Sequence, residues 1–193
     1  MIRAAIVRLF VAINLPPLVR TTISAATASM REAAGAISWV PADRLHLTME
    51  FLGEQPASAV TALKSALGAA AVRHAPISLA LHGLGAFPNL RAPRIVWLGV
   101  EPEPKLELLQ HDLASAVGEL GYERDARAFR PHITLGRART RLKPDAARAL
   151  ATAARAVDYA EVVEVKTVDL MESQLMRSGT RYSVVAAMPL RRG

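Results

Sequence analysis

Two short stretches, Arg44-Leu45-His46-Leu47-Thr48-Met49 and Arg130-Pro131-His132-Ile133-Thr134-Leu135, decide how this chain is read. Each is a His-x-Thr set in apolar residues and preceded two positions earlier by an Arg. Side chains two apart on a strand share a face, so each His points the same way as its Thr. Two such strands meeting across a cleft present two imidazoles and two hydroxyls to one small volume. One His-x-Thr alone is ordinarily packing with a satisfied hydrogen bond. Two copies in matching apolar context make the shared-site reading the stronger one.

Outward from these stretches, residues 9–13 are β-branched and aromatic enough for a strand, closed by Pro16-Pro17. Residues 18–34 predict a helix ended by Gly35, and 37–40 a short strand. The first motif strand runs to Leu52 and stops at Gly53, before a helix over 57–71. Period-two alternation makes 77–82 a strand, whereas the glycines and prolines of 83–94 predict a loop. A strand over 95–100, a helix over 105–118 and a basic loop over 122–129 lead to the second motif strand, which opens at Pro131. A helix over 143–156 follows, then strands over 162–171 and 182–190 joined at Ser178-Gly179. The order β-α-β-β-α-β-β-α-β-α-β-β predicts an α+β fold with largely antiparallel sheet. A helix before and after each motif strand points to two related lobes.

At 193 residues, 51% hydrophobic and 21% charged, the chain has ample material for a core. Its net charge is +7, from 24 basic and 17 acidic residues, and Arg dominates the basic set. Arg suits bidentate phosphate contacts, so an anionic partner such as nucleic acid or a nucleotide is expected. With no cysteine, disulfides, thiolate catalysis and Cys-ligated zinc are excluded. The apolar residues 1–15 are interrupted by Arg3 and Arg8 and read as a strand, not a leader or membrane span.

Opening or forming a phosphodiester beside a ribose hydroxyl needs a base, an acid and donors to the phosphoryl oxygens. Histidine titrates near pH 6.5, so one copy can be neutral while another is charged. Thr48, Thr134 and an Arg can donate to the non-bridging oxygens as charge develops. Arg130 shares parity with His132, which favours it as a phosphate contact. Arg137, Arg139 and Arg141 have the other parity and read as a solvated edge. Glu50 shares nominal parity with His46, but four strand residues separate them by roughly 13 Å. That is too far for one metal ion with bonds of about 2.0–2.2 Å, so no metal is expected. His74 and His111 read as solvated helix residues, His82 as a strand end, and Phe87 as a core plug with base stacking as the alternative.

At these residues the sequence resembles the 2H phosphoesterase superfamily, with its two His-x-[Ser/Thr]-x motifs. It is most similar to the RNA 2′,3′-cyclic phosphodiesterases, also called 2′-5′ RNA ligases. The resemblance also covers Arg8-Leu9-Phe10-Val11-Ala12-Ile13, the run Leu45 to Gly53, Gly83-Leu84-Gly85-Ala86-Phe87-Pro88, Arg94-Ile95-Val96-Trp97, Arg130 to Arg137, and Tyr182 to Leu190. It implies one bilobal α+β domain over 1–193, with two pseudo-symmetric antiparallel sheets flanked by helices around a V-shaped cleft. It implies hydrolysis of RNA 2′,3′-cyclic phosphate ends to 2′-phosphomonoesters without metal or cofactor, and reversible 2′-5′ ligation at the same site. His46 is then the acid to the departing 3′ oxygen and His132 the base for water, while Thr48 and Thr134 hold the phosphate. The family pattern places a phosphate-binding Arg at Arg137, above Arg130, and a bulge or strand end would turn it inward. A cytoplasmic monomer acting on RNA ends is expected. The alternatives are a phosphodiesterase for a small cyclic nucleotide of the ADP-ribose type, and a non-catalytic RNA-end binding module. Residues 1–7 extend beyond the usual start, and 126–129 and 83–94 are where such proteins vary.

Overall fold

The structure is a computed structural model that describes residues 5–123, 128–177 and 179–191. The expected extension over 1–7, the loop over 122–129 and the Ser178-Gly179 joint lie in part outside the described residues. The chain runs β1 (Ile6–Asn14), α1 (Pro17–Ala26), α2 (Ala28–Ala33), β2 (Ile37–Trp39), β3 (His46–Pro56), α3 (Val60–Ala71), β4 (Ile77–Phe87) and β5 (Ile95–Val100). It continues with α4 (Pro104–Glu119), β6 (His132–Ala138), α5 (Pro144–Ala156), β7 (Ala160–Val165), β8 (Thr167–Met176) and β9 (Gly179–Pro189). Short 3-10 turns at Ala42–Arg44 and Ala57–Ala59 lead into β3 and α3.

Among the described residues the strands form one antiparallel sheet in the order β7-β4-β5-β6-β3-β1-β8-β9, with β2 added beside β6. The two expected sheets are its two arms, β7-β4-β5-β6 and β3-β1-β8-β9. They are joined where Leu47 pairs with Ile133. Helices α3 and α4 pack on the second arm, and α5, with α2 against it, packs on the first. The pseudo-symmetry read from the flanking helices is therefore present in the layers.

Strand β1 explains why the central strands look apolar throughout. Leu9, Val11 and Ile13 join the main core, whereas Phe10 and Ala12 join Met171 and Tyr182 in a second cluster on the opposite face. A strand covered on both faces reads as a continuous hydrophobic run. Helices α1, α4 and α5 each begin with a proline in the first turn, where its missing N–H costs nothing.

Four sequence expectations are corrected. The helix over 18–34 breaks at Thr27, where the backbone leaves the helical region at φ −96° and ψ 13° and the buried hydroxyl joins the N–H in donating to the Ile23 carbonyl, at 2.8 Å. Strand β4 continues to Phe87 through a register shift between Leu81 and Leu84, because Gly83 takes φ +72°. Similarly, β3 passes Gly53 at φ +70° and runs to Pro56. The strand over 162–171 is two strands on different arms: β7 pairs with β4, β8 with β1, and Lys166 alone separates them. The curled sheet thus brings the two arms together again at Lys166. Among the described residues no helix is long and apolar enough to cross a membrane.

Candidate active site

The pairing of Leu47 with Ile133 sets the site. Both side chains are buried in the helix-side core, at 1% and 0% exposure. Their neighbours on each strand therefore point to the other face. An antiparallel register through this pair sets His46 across from Thr134, and Thr48 across from His132. The outer strands agree in parity: Asn14 and Ala12 of β1 pair with His46 and Thr48, and Trp97 and Gly99 of β5 with Thr134 and His132. The four side chains form a quadrilateral with the two histidines at opposite corners. Such diagonal neighbours lie about 7–8 Å apart at the backbone.

Both rings are held in the same way. His46 Nδ1–H donates to the Arg44 carbonyl at 2.7 Å, and His132 Nδ1–H to the Arg130 carbonyl at 2.6 Å. A carbonyl only accepts, so each neutral ring keeps its proton on Nδ1 and leaves the Nε2 lone pair for chemistry. Each ring also meets an aromatic edge-on: Tyr182 lies 5.4 Å from His46 at 89°, and Phe87 lies 5.1 Å from His132 at 86°. Phe10 adds a tilted contact to His46 at 5.2 Å. Burial pushes both imidazoles below the usual value. The backbone hydrogen bonds oppose that shift, and the Arg137 charge lowers both further.

Arg137 acts on both rings because β6 carries a bulge. Thr134 pairs with Trp97 but Gly136 pairs with Val96, so Leu135 is an extra residue and parity reverses after it. Arg137, opposite Ile95, then shares the face of Thr134 and His132. Simple alternation put it on the solvated edge; the bulge turns it inward. Gly136 permits this local path, since a Cβ there would stand 2.5 Å from Ile37 Cγ2. Both arginines are exposed, but Arg130 differs in its action: the charge felt by both rings is that of Arg137, whereas Arg130 offers His132 its backbone carbonyl. Glu50 is also misplaced by alternation. A register shift at Met49 moves it to the helix side, where Gln110 Nε2 donates to its carboxylate at 3.0 Å.

His82 and His111 are exposed, and His82 lies 3.7 Å from Glu101. His74 is not solvated as expected: it is buried, with Nε2 3.0 Å from Asp112, and links the end of α3 to α4. Phe87 is on a strand against His132, not in a loop or a core. Tyr182, Phe10 and the Asn14–Asp169 pair were not singled out by sequence; Asn14 Nδ2 donates to the buried Asp169 carboxylate at 2.7 Å. Strand parity on β1 was the available signal for Phe10 and Asn14. Tyr182 and Asp169 depend on the β7–β8 division, which the sequence conceals. Among the described residues no group of three His, Asp or Glu side chains converges as metal ligands.

The chain is 34% identical over 184 residues to the RNA 2′,3′-cyclic phosphodiesterase of Geobacillus stearothermophilus, covering 94% of this chain and 56% of that protein. It therefore spans little more than half of that relative's length. A Thermus thermophilus protein of the same name is 34% identical over 193 residues, covering 95% of this chain and 90% of the relative. Among solved structures, TT0787 of Thermus thermophilus aligns with a TM-score of 0.79 at 30% identity over 95% of this chain and 98% of that one. Escherichia coli LigT complexed with 3′-AMP aligns with a TM-score of 0.77 at 31% identity over 97% of this chain and all of that one. The model of the 2′-5′ RNA ligase superfamily matches residues 16–175, and the chain belongs to that family.

Proposed function

We propose that the protein hydrolyses RNA 2′,3′-cyclic phosphate ends to 2′-phosphomonoesters, with His46 and His132 as its acid–base pair. The observation that carries this reading is the arrangement of two imidazoles at opposite corners of one strand pair, each with Nδ1 bound to a backbone carbonyl. The relatives named RNA 2′,3′-cyclic phosphodiesterase support the substrate class.

In this mechanism a water molecule attacks phosphorus while its proton passes to Nε2 of neutral His132. The P–O3′ bond breaks, and protonated His46 gives its Nε2 proton to the departing O3′. Thr48, Thr134 and Arg137 donate to the non-bridging oxygens as their charge grows. Acid–base assistance of this kind is worth roughly 10²–10⁴-fold. The residues supply acid, base and phosphoryl donors without a metal or cofactor. If a 5′-hydroxyl takes the place of water, the same transfers join two RNA ends through a 2′-5′ linkage. The reading takes residues 1–193 as one bilobal domain and the enzyme as a cytoplasmic monomer.

The test is incubation of a nucleoside 2′,3′-cyclic phosphate with the protein and EDTA, followed by identification of the product. The expected result is 2′-phosphate formed at a rate unchanged by chelator. A 3′-phosphate product, or loss of turnover in EDTA, overturns the mechanism. RNA affinity without turnover would assign a binding module instead.

A further inference from the structure

The cleft beside His46 is larger than one phosphate needs. A basin of about 440 Å³ opens there, within the roughly 300–1,000 Å³ usual for small-molecule sites. Its lining includes Asn14, Arg20, Asp43, Arg44, Asp169 and Tyr182. Asn14 is the β1 partner of His46, and the Tyr182 ring abuts the His46 ring, so the basin is continuous with the site.

Its polar groups are unlike those of a plain phosphate cradle. Arg20 projects from α1 and is steadied by the Asp43 carbonyl, which accepts from Nη1 at 2.6 Å; its Nε is buried with no partner among the described residues. Arg44 gives its carbonyl to His46 and lends its side chain to the basin. Asp169 is only 5% exposed and is held by Asn14. Two guanidiniums stand against two carboxylates, so the lining does not attract polyanions indiscriminately. It matches a ligand with one anionic group and at least one N–H or O–H donor, which is the chemistry of a nucleotide.

We propose that this basin receives the nucleoside carrying the cyclic phosphate, with Arg20 and Arg44 binding its 5′-phosphate and Asp169 accepting from its sugar or base. The inference rests on the catalytic reading above, in which O3′ leaves toward His46 and its nucleoside lies on that side. The protein then selects a nucleotide that continues a chain over a free nucleoside cyclic phosphate.

Calorimetry with adenosine 2′-monophosphate and adenosine 2′,5′-bisphosphate tests this without turnover. The wild-type protein is expected to bind the bisphosphate at least about 10-fold more tightly, as charged hydrogen bonds to one added group provide. Arg20→Ala and Arg44→Ala should each bring the ratio of the two affinities to within about 3-fold of unity. Arg148→Ala, on the exposed face of α5, should keep the wild-type ratio and so exclude a general effect of net charge. General loosening of the fold moves both affinities together and leaves their ratio intact. A wild-type ratio near one, or a ratio that survives both basin substitutions, overturns the proposal. Hydrolysis of nucleoside 2′,3′-cyclic phosphate, measured in parallel, separates the two readings. Turnover without 5′-phosphate preference sinks the basin alone, preference without turnover sinks the catalytic reading alone, and neither binding nor turnover sinks both.

Discussion

Leu47 of β3 and Ile133 of β6 are register partners at the join between the two arms of the sheet, and the four His and Thr side chains of the site are their immediate neighbours. Core packing and site geometry are therefore one arrangement: the residues that close the core also set the spacing of the imidazoles.

Truncating that pair should cost both properties. Leu47→Ala or Ile133→Ala removes a fully buried side chain and is expected to destabilise the protein by about 2–5 kcal/mol. Urea denaturation measures the loss. Turnover per folded molecule should also fall, because the strands that carry the histidines lose their contact.

His46→Ala and His132→Ala should each lower turnover of a nucleoside 2′,3′-cyclic phosphate by at least about 10². Both rings are only half-buried, so circular dichroism should show an intact fold. Retained activity in either variant would remove that residue from the mechanism.

Acidification should weaken the fold through the same two rings. Each has its pKa lowered, chiefly by burial, so the folded state binds protons less readily than the unfolded chain. Stability from this source is present above the unfolded value of about 6.5 and is lost as pH falls through the lower folded values. The urea midpoint should decline below about pH 6.5, and His46→Gln with His132→Gln should flatten that decline. The rate profile should be bell-shaped, with limbs that belong to the coupled pair.

Arg137 and Arg130 should separate cleanly. Arg137→Ala removes the charge that depresses both imidazoles and, in the mechanism proposed above, a phosphoryl donor. Its kcat should fall by about 10²–10³-fold, and both limbs of the pH profile should move upward. Arg130→Ala keeps the carbonyl that anchors His132, so neither limb should shift. Equal effects of the two substitutions on the pH profile would contradict the bulge-derived placement of Arg137.

The paired motif, the α+β class and the antiparallel layers were legible because strand alternation and helix punctuation are local properties. What was hidden turns on single residues that reset parity. Alternation fails for Glu50 after Met49 and for Arg137 after Leu135, since one inserted residue reverses every later side chain. Gly83 looked like the start of a loop because its positive φ serves a bulge as readily as a turn. Lys166 carried no turn signal although the chain changes arms there. Family resemblance anticipated the inward turn of Arg137 where counting could not, but neither route gave Asp169 or Tyr182 a place in the cleft, since their neighbours are far away in sequence.

Both imidazoles are moored to main-chain oxygens, those of residues 44 and 130. No replacement of either arginine side chain deletes its mooring. The tautomers are thereby insulated from drift at either arginine: in the mechanism proposed above, each Nε2 keeps its part whatever side chain those two positions carry.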